Sequence, residues 1–505
     1  MKQTRSTRAK LNIIVSLLGQ LVVLVCGFIG PRLLLNAFGS EAYGATASIT
    51  QFLAYITLLE GGIGGVARAV LYKPLANDDK ETIGAVVTEL QRFLNVIAYL
   101  FMGYVLVLAC TFTKIADVQV FDWWTTFLLV LSISISTFAQ YFIGLRNSVL
   151  LQAAQKTYVT IATTIVTTIL NTIFTVVLIK LGCGLPAVKL VSSCIFVLRP
   201  VVLHLYVKRS FGLPKRKTRN KDLLSQKWTG LGQHIAYFLH SNTDVVVLTV
   251  FADLASVAVY AVYHMIVSHI QNLISSFSSG MEALFGDMIA KDEIKELNQS
   301  FNKYETLISL VSVIFMATAI VLLVPFIELY TAGVEDADYR RFGFGILLIL
   351  SSLLHCLRMP YHSVVLAAGH FKQTKLAAYG EALINIVSSI ILVKFFGLVG
   401  VAIGTLAATG FRFVFYVIYL SKNIIKRSVW LFVKRICVNS CCILAAVLLS
   451  MQVSKLFQMG NYIRWAVGAL AVAAVAAAVT VAITALFYPK DMREAVKIAM
   501  KKKKR

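Results

Sequence analysis

Long apolar stretches separated by short polar segments restrict the fold of this chain more than any other feature of its sequence. The chain is 58% hydrophobic and only 14% charged, whereas a soluble domain has about 25% charged residues. A helix needs about 20 apolar residues to cross a bilayer. The pattern therefore predicts an all-α polytopic membrane protein with about 14 transmembrane helices. The predicted spans are residues 11–35, 43–59, 86–112, 124–145, 157–180, 186–207, 229–250, 254–278, 304–330, 342–366, 376–396, 398–420, 436–456 and 464–488.

The basic residues test this count, because Lys and Arg accumulate on the cytoplasmic side of membrane proteins. With the N-terminus in the cytoplasm, 36 of the 48 basic residues fall in cytoplasmic segments, 8 in external segments and 4 within spans. This distribution predicts that both termini are cytoplasmic. The net charge of +24 is then a signal of topology and not of nucleic-acid binding. The densest basic runs, 208–227 and 501–505, are predicted to lie against anionic lipid headgroups.

An internal repeat relates two parts of the chain at offsets of 213 or 214 residues. A duplicated apolar chain is typical of transporters built from two helical bundles around a central path. With six spans in each half, the two bundles share one orientation. The predicted domains are an N-terminal lobe (1–207), a basic cytoplasmic linker (208–228), a C-terminal lobe (229–420) and two extra spans with a basic tail (421–505). The paired landmarks are Asn171 with Asn385, Lys180 with Lys394, Arg199 with Arg412 and Tyr206 with Tyr419.

Polar residues in spans 7 and 8 recur every three or four positions, so that they share one helical face. The polar residues of span 2 also lie on one face, and span 1 adds two polar residues and an arginine near its outer end. Such a face cannot be left against lipid, because each unpaired group costs several kcal/mol. We predict a hydrated cavity between the halves, in which ionisable residues are functional candidates. For the Ser and Thr residues, hydrogen bonds between helices are the stronger interpretation. The residues are Ser16, Gln20 and Arg32 in span 1; Thr46, Thr50, Thr57 and Glu60 in span 2, with Arg68 beyond it; Gln233, Tyr237, His240 and Asp244 in span 7; and Tyr260, His264, Ser268, Gln271 and Ser275 in span 8.

Chemistry of other kinds has little support. The eight cysteines show no CxxC or CxxH spacing, so we predict no metal site and no redox role. No nucleotide or cofactor motif is present, and we predict no cofactor. A membrane-embedded glycosyltransferase or acyltransferase would need paired acids or a His-centred site near one surface. The outer acids Glu335, Asp336 and Asp338 instead lie in a short loop, which disfavours an enzyme.

Four stretches resemble bacterial polysaccharide flippases of the multidrug/oligosaccharidyl-lipid/polysaccharide exporter superfamily. Residues 31–44 (PRLLLNAFGSEAYG) are similar to the first hairpin of that family, as are residues 51–68 (QFLAYITLLEGGIGGVAR). Residues 242–244 (NTD) and the segment 385–412 add to the resemblance, which runs from about residue 10 to residue 490. Each motif is loose by itself, but their order and spacing together are specific to the family.

The resemblance implies two six-helix lobes around a V-shaped cavity lined by spans 1, 2, 7 and 8. It also implies alternating access and movement of an undecaprenyl-diphosphate-linked oligosaccharide from the inner to the outer leaflet of the bacterial cytoplasmic membrane, driven by a cation gradient. Two extra spans are common in the flippase branches and absent from typical drug exporters. The expected partners are the lipid-linked oligosaccharide, anionic lipids, and the polymerase and glycosyltransferases of the same cell-surface polysaccharide pathway.

Site residues follow as hypotheses. A diphosphate needs buried cations, and Arg offers a planar fork of donors. Sugars need hydroxyl-rich and aromatic walls. A coupling ion needs a carboxylate whose charge is neutralised in one state. The candidates are Arg32 and Arg68 for the diphosphate; Gln20, Tyr43, Gln51, Tyr237, His240, Tyr260 and His264 for the rest of the cavity; and Asp244 and Glu60 for the coupling ion.

Two alternatives within the superfamily stay open. The cargo could be lipid II in place of a polysaccharide precursor. The protein could also be a cation-coupled multidrug antiporter, in which case the acids would form the substrate site and Arg32 and Arg68 would be structural.

Overall fold

The computed structural model describes residues 5–214, 231–278, 281–457 and 459–489. Within these residues the regular secondary structure is helical and contains no strand. This agrees with the prediction of an all-α membrane protein, since a helix satisfies its own backbone groups in lipid. The helices are α1 Arg5–Ala54, α2 Ile63–Ala76, α3 Lys80–Ile115, α4 Trp123–Ala139, α5 Leu145–Ala153, α6 Thr157–Lys180, α7 Leu185–Phe211, α8 Leu231–Phe251, α9 Leu254–Ser276, α10 Met281–Ala290, α11 Ile294–Tyr330, α12 Phe342–Ala367, α13 Phe371–Asn423, α14 Val429–Ser454 and α15 Tyr462–Phe487.

Eleven helical segments in the described residues are long and apolar enough to cross a membrane. Two of them, Leu11–Glu60 and Phe371–Asn423, have double length. Each is broken near its middle by a non-helical glycine, Gly39 with φ 81° and Gly397 with φ 53°, and positive φ is a region that glycine enters without steric cost. With these two segments divided at their glycines and α8 added, which covers the predicted seventh span, the described residues contain fourteen helical segments, the number of spans predicted.

Two helices lie where only loops were predicted. α2 falls within residues 60–85, between the second and third predicted spans, and α10 falls within 279–303, between the eighth and ninth. α2 follows the second predicted span and α10 follows the eighth, so the two helices occupy the same place in the repeat. Their presence corrects the loop assignment and supports the duplication.

The first compact unit comprises Met1–Phe238 and Asp253–Ala258. Its core is one apolar cluster to which α2, α3, α4, α5 and α7 all contribute. Within it α1 packs on α6, α4 packs on α7, and α2 packs on both α3 and α5. α2 is therefore an integral part of this unit.

The second compact unit comprises Leu239–Ala252 and Val259–Arg505. Its main contacts join α12 to α13, α11 to α12, and α11 to the pair α14 and α15. Ala317, Ala446 and Ala476, each fully buried, meet where α11, α14 and α15 approach, since small residues let helices pack closely in a membrane. The predicted linker 208–228 lies largely outside the described residues, and the predicted domain limits stay predictions.

Candidate functional site

Asp244, predicted to bind the coupling ion, lies in a polar cluster inside the second unit. Its side chain is only 4% exposed. The Thr405 hydroxyl donates to Asp244 Oδ2 over 2.7 Å and the Tyr260 hydroxyl donates to the same oxygen over 3.0 Å. Asn385 Nδ2 donates to Asp244 Oδ1 over 3.3 Å and to Thr405 Oγ1 over 3.1 Å. α8, α9 and α13 thus bring three polar side chains together around one buried carboxylate.

The kinked helix α13 positions two of these partners. Asn385 lies before the break at Gly397 and Thr405 lies after it, so the chain reverses and the two halves pack on each other. A Cβ added at Gly400 would overlap the carbonyl of Leu392, and one at Gly404 would lie 2.9 Å from the backbone N of Ser389. The halves can approach closely enough for Asn385 to reach Thr405 because glycine stands at both crossing points.

The oxygen atoms of this cluster suit a small hard cation or a proton. Asn385 Oδ1 and Ser389 Oγ are buried and make no hydrogen bond within the described part of the chain. Buried oxygens without a partner call for an explanation, and carboxylate, amide and hydroxyl oxygens are ligands that hard cations prefer. No group of three or more His, Cys, Asp or Glu side chains that could hold a metal ion occurs among the described residues.

Glu60, the second predicted coupling residue, lies in the first unit. It ends a short 3₁₀ turn, Tyr55–Glu60, which a pair of left-handed glycines separates from α2. The Tyr141 hydroxyl donates to Glu60 Oε1. Tyr141 lies in a single π turn, Gln140–Gly144, between α4 and α5. Such π turns are frequent at functional sites. Glu60 belongs to the first unit and Asp244 to the second.

The arginines predicted to bind a diphosphate lie in the first unit on different helices. Arg68 lies on α2 and donates from Nη1 to Gln152 Oε1 of α5 over 2.7 Å. Its place on α2, instead of in a loop, gives its guanidinium a fixed support. Arg32 follows Pro31 inside α1 and is half-buried.

The other predicted cavity residues differ in their surroundings. The rings of Tyr260 and His264 stack with centroids 5.4 Å apart, so these two are brought together beside Asp244. Gln20 is exposed on α1, while Tyr43 and Gln51 are half-buried on the same helix. Tyr237 and His240 lie on α8, but their side chains are outside the described residues.

The threonines of span 2 are structural. The hydroxyls of Thr46, Thr50 and Thr57 donate to carbonyls three or four residues earlier in the chain. These hydroxyls therefore bond within their own segment, and the interpretation as bonds between helices was wrong for them.

The sequence interpretation missed Asn385 and Thr405 as partners of Asp244. Asn385 was visible as a landmark of the repeat, equivalent to Asn171, whose own Oδ1 is buried without a described partner. The available signal was a polar asparagine inside an apolar span at the equivalent position of both halves. Thr405 carried no such signal, because threonine is common in these spans.

Long apolar helices in two units, with buried ionisable groups inside them, define a multi-pass membrane protein. The sequence matches the model of the family described as "Polysaccharide biosynthesis protein" over residues 9–285, more than half of the chain. The chain therefore belongs to that family, within the multidrug/oligosaccharidyl-lipid/polysaccharide exporter superfamily. The predictions of the superfamily, and of a transporter in place of an enzyme, are confirmed by this membership.

Solved structures of the same superfamily share the fold. A lipid II flippase MurJ in an inward closed conformation has a TM-score of 0.69 at 16% identity, over 95% of this chain and 99% of that chain. An inward-facing multidrug resistance MATE family transporter has a TM-score of 0.61 at 13% identity, over 81% of this chain and 98% of its own. The MATE multidrug transporter DinF-BH has a TM-score of 0.55 at 19% identity, over 84% of this chain and 98% of that chain. No curated protein sequence matches significantly.

Proposed function

We propose that the protein is a flippase that moves an undecaprenyl-diphosphate-linked oligosaccharide from the inner to the outer leaflet of the bacterial cytoplasmic membrane. The observation that carries the proposal is the pair α14 and α15. The fold of the lipid II flippase covers 95% of this chain, whereas the folds of the two multidrug transporters cover 81% and 84% of it and are themselves covered to 98%. The difference is about equal to the length of α14 and α15 together. The shared length therefore favours a flippase over a drug antiporter.

The physical task explains why such a protein is needed. A diphosphate and a sugar chain cannot cross about 30 Å of hydrocarbon without a polar path. Arg32 and Arg68 are the cations proposed to hold the diphosphate, because a guanidinium donates two parallel hydrogen bonds to its oxygens. Tyr43 and His264 would provide aromatic and polar surface for sugars, whereas Tyr260, predicted for the same cavity, is buried and donates to Asp244. The prenyl tail would remain in lipid while the protein alternates between inward and outward states.

Asp244 is the residue proposed to couple transport to a cation gradient. A buried carboxylate with hydroxyl and amide neighbours has different charge with and without a bound proton or sodium ion, and that difference can bias two conformations by the differential affinity of the cation. Glu60, bonded to Tyr141, is the second acid proposed to be neutralised during the cycle.

Leaflet transfer in proteoliposomes tests the proposed function. Fluorescent undecaprenyl-diphosphate oligosaccharide is loaded inside, and its exposure to an external lectin is followed with and without a proton or sodium gradient. We expect exposure that depends on the protein and falls when both Arg32→Ala and Arg68→Ala are present. Asp244→Asn should remove the dependence on the gradient.

The same vesicles distinguish the alternatives. Transfer of lipid II but of no other glycan would identify a lipid II flippase. Efflux of a cationic dye, lost in Asp244→Asn, with no transfer of any lipid-linked glycan would identify a multidrug antiporter and contradict the proposal. Accessibility labelling of residues in 1–10 and 489–505 tests the proposed cytoplasmic location of both termini.

A further inference from the structure

A second buried charge cluster lies in the same unit as Asp244, and neither the ion site nor the proposed substrate site uses it. Glu381 on α13 is fully buried. Arg358 Nη1 on α12 donates to Glu381 Oε1 over 2.6 Å, and Arg412 Nη1, from the other half of α13, donates to Glu381 Oε2. The two arginines are 6% and 7% exposed. We call Arg358, Glu381 and Arg412 the Arg–Glu–Arg triad.

Among the described residues, the triad leaves one positive charge without a carboxylate partner. Two guanidinium groups share a single carboxylate, and their other hydrogen-bond contacts in this part of the chain are with neutral groups. Arg358 Nη2 lies 3.2 Å from His355 Nδ1 and Arg412 Nη2 donates to the Tyr416 hydroxyl over 3.3 Å. Since arginine can only donate, His355 Nδ1 accepts, and that imidazole is neutral. A buried, uncompensated charge is costly unless another group balances it.

α13 connects this charge to the ion site. Glu381 precedes Asn385 by one helical turn, on the same face, and Arg412 follows Thr405 by two turns on the other half of the helix. At 1.5 Å per residue, the triad lies about 6–10 Å along the helix from the two side chains that contact Asp244. Asp244 and Glu381 carry two negative charges, and Arg358 and Arg412 carry two positive ones, so the group is neutral when no cation is bound.

From this arrangement we propose that the Arg–Glu–Arg triad is the built-in counter-charge of the Asp244 cation site and sets its affinity. The inference rests on the proposed ion coupling. The excess positive charge stabilises the ionised, cation-free carboxylate and opposes the bound cation. A carrier must release its ion in every cycle, and a carboxylate buried among three donors but without a counter-charge would hold a cation too tightly or stay protonated.

The repeat indicates that this device belongs to one half only. Arg199 is the repeat equivalent of Arg412, whereas the position equivalent to Glu381, at the offset of 214 residues, is Thr167. Arg199 Nε makes no hydrogen bond within the described residues. The positions equivalent to Asp244, at offsets of 213 and 214 residues, are Pro31 and Gly30. The first half therefore lacks both this acid and the acid of the triad, as expected if the triad serves the cation site and not the general architecture.

The charge of the triad, separately from its hydrogen bonds, can be varied in the full-length protein. A unit charge at about 10 Å and an effective dielectric constant of about 20 changes a binding constant by about tenfold. Arg412→Gln removes a positive charge and Arg412→Lys keeps it. Glu381→Gln removes a negative charge, so the net charge of the triad rises by one. Arg358→Gln repeats the first test at another position if Arg412→Gln does not fold. Arg435→Gln, which removes a buried guanidinium from a different carboxylate, Glu305, is the matched control.

The measurement is thermal stabilisation of each purified variant in lipid nanodiscs. Sodium is titrated against choline at constant ionic strength, and the pH dependence is measured without sodium. We expect Arg412→Gln to lower the half-maximal sodium or proton concentration about tenfold. Glu381→Gln should raise it, while Arg412→Lys and Arg435→Gln leave it within about twofold of the unmodified protein.

Three results overturn the inference. The first is a shift in the same direction for Arg412→Gln and Glu381→Gln, which would indicate lost packing. The second is a shift for Arg412→Lys equal to that for Arg412→Gln. The third is a cation response that Asp244→Asn abolishes but that no triad variant alters. That result would support the Asp244 ion site and contradict only the proposal that the triad is its counter-charge. A full-length protein that responds to neither sodium nor protons overturns the ion coupling and this inference together.

Discussion

At the scale of single residues, the hydroxyl of Thr405 is the contact that most sharply tests the Asp244 site. It donates to Asp244 Oδ2 over 2.7 Å and accepts from Asn385 over 3.1 Å. A hydrogen bond to a charged group is worth about 1.5–3 kcal/mol. Thr405→Val keeps the shape of the side chain and removes both contacts, so the apparent cation affinity should change about tenfold or more.

Thr405→Ser is the control for that substitution, because it keeps the hydroxyl and removes only a methyl group. Its sodium or proton titration in proteoliposomes should match that of the unmodified protein. Equal behaviour of the Val and Ser variants would show that the hydroxyl does not take part in cation binding.

Tyr141 is predicted to stabilise the first unit through Glu60. Its hydroxyl donates to a carboxylate that burial has largely removed from water. Tyr141→Phe leaves that carboxylate without the donor, and we expect a loss of about 1.5–3 kcal/mol in the free energy of unfolding. Thermal unfolding of the purified protein measures it.

Two comparisons make the Tyr141 prediction specific. Tyr99→Phe, at an exposed ring, should have no measurable effect. In a Glu60→Gln background, Tyr141→Phe should cost clearly less, because the lost partner is then neutral. An unchanged cost in that background would mean that Glu60 is not the group that Tyr141 stabilises.

At the scale of elements, the break in α13 determines the geometry of the cation site. Its two halves cross at Gly404, where an added Cβ would lie 2.6 Å from Ser389 Oγ and 2.9 Å from the backbone N of Ser389. The hydroxyl can rotate away, but the backbone cannot. Gly404→Ala should therefore separate the halves, lower the melting temperature and weaken the cation response together.

Gly410→Ala is the matched control on the same half of α13. A Cβ there would meet only Leu354 Cδ1 at 3.8 Å, which is ordinary van der Waals contact. In the same titrations it should behave as the unmodified protein. If Gly404→Ala binds the cation normally, the close crossing is not what brings Asn385 to Thr405.

At the scale of the whole molecule, the sequence predicted what is encoded within short stretches. Apolar length predicted the fourteen crossings, and the positions of Gly39 and Gly397 agree with the predicted boundaries between adjacent spans. A lone acid in an outer apolar half-helix was enough to single out Asp244. Each of these features can be predicted from the polarity of one segment, because the cost of placing polar groups in lipid depends on that segment alone.

Contacts between distant segments could not be predicted in the same way. Asp244 is 141 residues from Asn385 and 161 from Thr405, and no pattern within one helix reports such a pairing. The partners of Glu381 were equally invisible, because Arg358 and Arg412 lie 23 and 31 residues from it in the chain. The helices α2 and α10 were missed because the search was for apolar stretches long enough to cross a bilayer. Both helices are shorter than that and contain polar residues, so their sequences resemble loops.

The attachment of α14 and α15 provides a test of the whole architecture. Glu305 of α11 is 2% exposed and accepts from the Tyr361 hydroxyl. Arg427 Nη1 donates to it over 2.7 Å, and Arg435 Nε of α14 lies 3.4 Å from the same carboxylate oxygen. A chain that ends after Asn423 loses both arginines. The buried Glu305 charge is then uncompensated, which costs about 3–5 kcal/mol.

Loss of the apolar contacts themselves should matter much less in a bilayer, because lipid tails solvate an exposed apolar helix face about as well as another helix does. The truncated protein should therefore melt at a clearly lower temperature in nanodiscs, and Glu305→Gln should restore much of the difference. A chain that ends after Pro489 keeps both arginines and should melt normally. If Glu305→Gln does not rescue the shorter chain, apolar packing of α14 and α15 on α11, and not the buried ion pair, attaches these helices to the second unit.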